Sequence, residues 1–137
     1  MKKKITGALI LFFIFCSAAG AQEDQLSRAV EALNKPPAEA KKRKEIKVWA
    51  EENKGFGTPK SKNIKANGKK VLIIWNCPFS GRAATYAYSY IKDGGSWKLA
   101  LNRLIEGTND LSVDFDKESN SIVYKSSSGE VVLKQQI

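Results

Sequence analysis

Residues 71–92 read VLIIWNCPFSGRAATYAYSYIK, and the reading of its two halves decides the fold. In residues 71–76, aliphatic, β-branched and aromatic side chains follow one another with no polar break until Asn76. A strand covered on both faces has that pattern. Cys77-Pro78-Phe79-Ser80-Gly81 then ends it with turn residues. Residues 83–92 admit two readings. Ala84, Ala87, Tyr88 and Ile91 match a helical stripe, whereas Tyr86, Tyr88 and Tyr90 alternate with Thr85, Ala87, Ser89 and Ile91 at the period of a strand. Three alternating tyrosines, closed by the turn signal Asp93-Gly94-Gly95, favour the strand.

Downstream the pattern continues. Trp97, Leu99 and Leu101 alternate and then lose phase before Leu104, which predicts a bulge near Asn102. Leu111, Val113 and Phe115 alternate with Ser112, Asp114 and Asp116, as in a strand with one buried face. Residues 121–125 (SIVYK) and 130–134 (EVVLK) read as two further strands, separated by polar turns. Short strands about ten residues apart predict an antiparallel meander.

Upstream, Asn67-Gly68 signals a hairpin within a lysine- and glycine-rich stretch, residues 55–70, read as a loop or linker with a short strand at 62–66. Residues 37–53 read as a helix that Pro37 starts and Asn53 and Gly55 stop, with Ile46, Trp49 and Ala50 as its apolar stripe. Leu26, Ala29, Val30 and Leu33 predict another helix at 23–34, ended by Pro36-Pro37. The expected fold is α+β: one or two N-terminal helices packed on a five- to six-stranded antiparallel meander sheet. In domain terms, residues 22–54 form a basic helical segment and residues 71–137 the antiparallel β domain.

The first 21 residues read as a cleaved signal peptide. Lys2, Lys3 and Lys4 precede an apolar run at residues 8–16, and Ala19-Gly20-Ala21 supplies a small-residue cleavage site. The run is too short to span a bilayer, which takes about 20 apolar residues. The mature chain is then expected in the periplasm or outside the cell, with no transmembrane span after processing. Removing the three lysines lowers the formal charge from +9 to +6. Residues 22–70 hold 13 basic and 7 acidic side chains, and residues 71–137 hold 7 of each, so the excess lies in the first half.

The chain has no histidine, which removes the commonest general base, the commonest zinc ligand and every Ser-His or Cys-His pair. The reading leans away from an enzyme, and no cofactor or metal is called for. Asp114-x-Asp116-x-Glu118-x-Asn120 spaces oxygens as calcium loops do, but Ser119 and Lys125 stand where such a loop needs Gly and Glu. A solvated strand and turn is the expected role.

Three sets of residues remain as candidates. Lys41, Lys42, Arg43 and Lys44 with Lys47 form a dense positive patch suited to an acidic protein or an anionic envelope polymer. Tyr86, Tyr88 and Tyr90 form a second contact face if the alanine side of their strand turns to the core. Cys77 alone survives processing, and Cys77-Pro78-Phe79-Ser80 resembles the C-x-x-S form of the thioredoxin and glutaredoxin redox site. A thiol at a helix start would be acidified there.

The leading expectation is an exported, non-enzymatic binding module of inhibitor or immunity type, for which nucleic acid is a disfavoured partner. The alternatives are a thiol-dependent redox protein using Cys77, and a cone-shaped small-ligand domain that resembles the nuclear-transport-factor-like fold. In size and β content the mature chain also resembles small periplasmic lysozyme inhibitors, and Ser80-Gly81-Arg82 with Trp97-Lys98 is similar to their loop; no residue role is carried over.

Overall fold

A computed structural model describes residues 35–137. The expected signal peptide and the expected helix at 23–34 lie outside the described residues. One helix and eight strands follow in the order β1 (Glu39–Ala40), α1 (Arg43–Glu52), β2 (Lys60–Ala66), β3 (Lys69–Asn76), β4 (Ala84–Asp93), β5 (Ser96–Glu106), β6 (Leu111–Asp116), β7 (Ser121–Ser126) and β8 (Val131–Gln136). All pairings are antiparallel. They build a five-stranded sheet, β1-β5-β4-β3-β2, and a three-stranded sheet, β6-β7-β8. Among the described residues, no helix is long and apolar enough to cross a membrane.

The unbroken apolar run in β3 dictates three layers. Its odd residues Val71, Ile73 and Trp75 join Leu111, Val113, Ile122 and Tyr124 in a core between the two sheets. Its even residues Leu72 and Ile74 join Ile46, Ala50, Tyr88, Tyr90 and Trp97 beneath α1. Two apolar faces need two covers, and a ten-residue helix covers only one. The expected single sheet is therefore corrected: the meander splits after β5, and its last three strands fold over the second face.

The corner lies at residues 107–110. Gly107 has φ of 87°, and its N–H donates to Ala83 O (2.8 Å). Thr85 Oγ1 donates to Thr108 O (2.7 Å), while the buried Thr108 hydroxyl donates to Asp110 O (2.6 Å). Asp110 then fixes the start of β6, since its carboxylate accepts from Trp75 Nε1 (3.0 Å), Leu111 N (2.8 Å) and Lys60 Nζ (2.7 Å). Partial burial pushes the Asp110 carboxyl up, but these donors together hold it below the ordinary carboxylate value. Deeper between the sheets, Tyr124 OH donates to Gln135 Oε1 (2.6 Å) and Gln135 Nε2 donates to Ser89 Oγ (2.8 Å).

Residues 83–92 are a strand, as their alternation predicts. Asn67 and Gly68 both have positive φ (52° and 76°), which a two-residue hairpin of the mirror-image type requires. The strand before that turn is longer than expected, because β2 pairs with β3 over all seven of its residues. The stretch at 55–70 is therefore a loop only up to Pro59. The bulge sits at Ala100, not near Asn102. Ser89 faces Leu101 and Tyr90 faces Leu99, so Ala100 is the extra residue and sends Leu99 and Leu101 to opposite faces.

The helix expected over 37–53 is shortened. Residues 39–40 instead pair with Lys98 and Trp97 on the edge of β5, and Ala38 O accepts from Leu99 N (2.9 Å). Lys42 keeps an extended backbone, and α1 starts only at Arg43. Good helix formers lose here to an open sheet edge, which offers backbone partners at every second residue.

Candidate functional site

Tyr86, Tyr88 and Tyr90 do not form an open face; they are 2 %, 2 % and 0 % exposed. Their register opposite Asn76, Ile74 and Leu72 puts them on the side that α1 covers. Tyr88 meets Trp49 edge-on at 5.5 Å, Tyr90 OH donates to Pro37 O (2.6 Å), and Tyr86 OH donates to Asn102 Oδ1. Burial raises the pKa of Tyr88, Tyr90 and Tyr124 above the ordinary 10.0. A raised value in the fold means that stabilisation by the neutral phenols is complete below about pH 10 and is lost as pH climbs beyond it. Unfolding by circular dichroism is expected to coincide with tyrosinate absorbance above that pH. Smooth ionisation of these tyrosines near pH 10 in protein that stays folded would contradict their burial.

Cys77 opens no helix. Residues 77–83 carry no regular element, and β4 begins at Ala84. The thiol points to the backbone oxygens of Arg82 (3.3 Å) and Phe79 (3.7 Å). The helix start that acidifies a redox thiol is thus missing from this site. Ser80-Gly81-Arg82 and Trp97-Lys98 lie at opposite ends of the β4–β5 hairpin, since Ala84 pairs with Glu106 and Lys92 with Trp97. Arg82 is engaged locally, with Glu106 at 2.5 Å and over the Phe79 ring at 4.7 Å. Asp114 pairs with Lys62 (2.8 Å), and Asp116 accepts from Ser119 Oγ (2.8 Å) and Glu118 N (3.1 Å). Those hydrogen bonds, Ser119's foremost, lower the Asp116 pKa. Among the described residues, no cluster of three or more His, Cys, Asp or Glu could hold a metal ion.

The positive patch is divided by the fold. Lys44 and Lys47 lie along the outer side of α1 with Val48 and Glu51. Lys41, Lys42 and Arg43 also line a basin of about 510 Å³ that Lys44 and Lys47 do not reach, where they meet Lys65, Lys70 and Lys92, although Arg43 borders Lys44 and Lys47 and Lys42 borders Lys44 on the outer side as well. Asn63, Ile64, Val71 and Trp97 complete the lining, and no carboxylate belongs to it.

Each cation arrives by a separate local cause. The β1–β5 pairing brings the chain over Trp97 just before α1 begins, which delivers Lys41, Lys42 and Arg43. The Asn67-Gly68 turn sets Lys65 directly opposite Lys70. Lys92 continues the tyrosine face of β4 past the end of the helix and pairs in register with Trp97. The indole, 5 % exposed, lies beneath two cations: Arg43 Cζ at 5.9 Å and Lys92 Nζ at 5.7 Å from its centroid. Arg43 is steadied by donating to Asn63 Oδ1 (2.7 Å). No ion pair joins any of the six cations to a carboxylate among the described residues.

No protein family, curated protein or solved structure matches this chain. Function must therefore be argued from the site itself.

The six cationic side chains around the basin are all exposed, so their mutual repulsion and their pull on a ligand weaken as salt is raised. Lys65 and Lys70 are like charges directly opposed across two strands, an arrangement that destabilises a sheet. Lys65, Lys70, Lys92 and Trp97 were not among the sequence candidates. One signal for part of the cluster was present: the Asn-Gly turn fixes the Lys65–Lys70 register.

Proposed function

We propose that this chain is a small exported binding module that works by contact and holds an anionic partner in the basin around Trp97. The observation that carries this reading is the convergence of six cations from four separate segments on one concavity that no acidic side chain lines. Lys41, Lys42, Arg43, Lys65, Lys70 and Lys92 supply the attraction, and Trp97 is the rigid floor. The sheet supplies the stiffness that keeps the cations together despite their repulsion. Export rests on the leader pattern at residues 1–21.

The reading is tested by calorimetric titration of the folded protein with tripolyphosphate, poly-L-glutamate and phosphatidic acid vesicles. At least one of these is expected to bind, more weakly as salt is raised. A Lys65→Gln/Lys70→Gln/Lys92→Gln variant is expected to lose roughly tenfold or more in affinity, about 1.4 kcal/mol. Without anion it should melt at or above the wild-type temperature, because opposed like charges have been removed. Undiminished binding by the triple variant, or no binding of any of the three anions by wild type, overturns the proposal.

A further inference from the structure

Resting on the basin reading above, we infer that the ligand is a compact group carrying clustered phosphates, not an acidic polypeptide. Charge density decides between the two. An extended peptide presents same-face side chains about 7 Å apart, twice the rise of roughly 3.4 Å per residue. Single carboxylates spaced that far apart answer six clustered cations poorly. A phosphomonoester brings about −1.5 to −2 charges and three acceptor oxygens within a single group. Two or three linked phosphates bring several negative charges to the six cations of the lining.

Hydrogen bonding points the same way. The charged lining consists of donors: five lysine ammonium groups and one guanidinium. A peptide strand brings N–H donors of its own that need acceptors. The side-chain oxygen of Asn63 already accepts from Arg43. A polyphosphate brings acceptors to match the lining's donors. Arg43 is held in place by Asn63 and Trp97, so its remaining N–H groups meet an oxyanion with little ordering cost, while the lysines adjust as mobile point charges.

Clustered phosphate can come from a soluble polyphosphate or from several phosphomonoester headgroups side by side on a membrane surface, and both sources satisfy the chemistry. The test compares tripolyphosphate, poly-L-glutamate, and phosphatidylcholine vesicles with and without phosphatidic acid, at one ionic strength. Tripolyphosphate or phosphatidic acid vesicles are expected to bind roughly tenfold more tightly per charge than poly-L-glutamate. Binding of tripolyphosphate alone identifies a soluble source. Vesicle binding that tripolyphosphate displaces identifies a headgroup. Lys44→Gln/Lys47→Gln, outside the basin, should leave the affinity unchanged, whereas Lys65→Gln/Lys70→Gln should reduce it about tenfold. Poly-L-glutamate binding as tightly as the phosphates would overturn the inference and leave the basin reading standing. Equal losses from the two double variants would reduce the phosphate preference to general charge and overturn it too. Binding to none of the probes overturns both.

Discussion

Tyr88→Ala is expected to lower stability by about 3–5 kcal/mol, the range for emptying a buried aromatic site. Domains of this size have about 5–15 kcal/mol in total, so the variant should be largely unfolded at moderate urea. Tyr88 lies at the centre of the layer under α1. Its ring meets Trp49 edge-on at 5.5 Å, Tyr86 at 5.6 Å and Tyr90 at 6.3 Å, with Ile74 as its cross-strand partner. Removing it undercuts the only helix among the described residues, and α1 carries Arg43 into the basin. Tyr88→Phe keeps the ring packing and is expected to cost about 1 kcal/mol or less. Urea midpoints of the two variants check this. Similar midpoints for Tyr88→Ala and wild type would mean that the tyrosine face is open after all.

Gly57→Ala is expected to cost about 1–3 kcal/mol, the range for forcing an added group into a filled site. A Cβ at Gly57 would lie 2.2 Å from Cys77 O and 2.9 Å from Cys77 C, so backbone would have to move. The loop after α1 is docked there main chain to main chain. Phe56 N donates to Pro78 O (3.0 Å), and Asn76 Nδ2 donates to Lys54 O (2.7 Å). Gly95 is the control, because nothing lies within 4 Å of its added Cβ and its φ is not positive. Gly95→Ala should change stability by no more than about 0.5 kcal/mol. Thermal melts of the pair measure the difference, and equal melting temperatures would mean that the 54–57 loop is not docked on the end of β3.

Period-two alternation made most strands legible. It located β4, β6 and β7 and placed β3 at the centre of the core, because side-chain direction along a strand is fixed by the chain alone. The Asn67-Gly68 turn was equally local. What the alternation could not show is which face of β4 the helix covers. Tyrosines occupy one side, and Thr85, Ala87 and Ser89 the other; both sides are buried, one by α1 and one by the second sheet. Exposure of the tyrosines was conditional on the alanine side of β4 turning to the core; that side does turn to β6–β8, but α1 covers the tyrosine side as well.

The strand at 39–40 was hidden for a related reason. Ala38 and Ala40 are good helix formers, and only the open edge of β5, some 58 residues later, makes the extended form better. The phase slip in β5 announced a bulge, and the register placed it two residues earlier than the side-chain pattern suggested.

The candidate site was half legible. Lys41, Lys42 and Arg43 stood out as a run. Lys65, Lys70 and Lys92 are scattered through ordinary strand sequence, and only the β2–β3–β4 register gathers them beside α1. Lys44 and Lys47 belong to the same run yet face elsewhere, because a helix turns successive residues about 100° apart.

The indole N–H resonance of Trp97 reports on the basin floor most directly. ¹⁵N-labelled protein titrated with the tightest-binding of the three anions should show the Trp97 signal moving saturably while those of Trp49 and Trp75 stay in place. Lys70→Glu should abolish the movement without altering the rest of the spectrum. A Trp97 signal that stays still while the anion binds, or that moves equally in Lys70→Glu, would contradict an anion site in this basin.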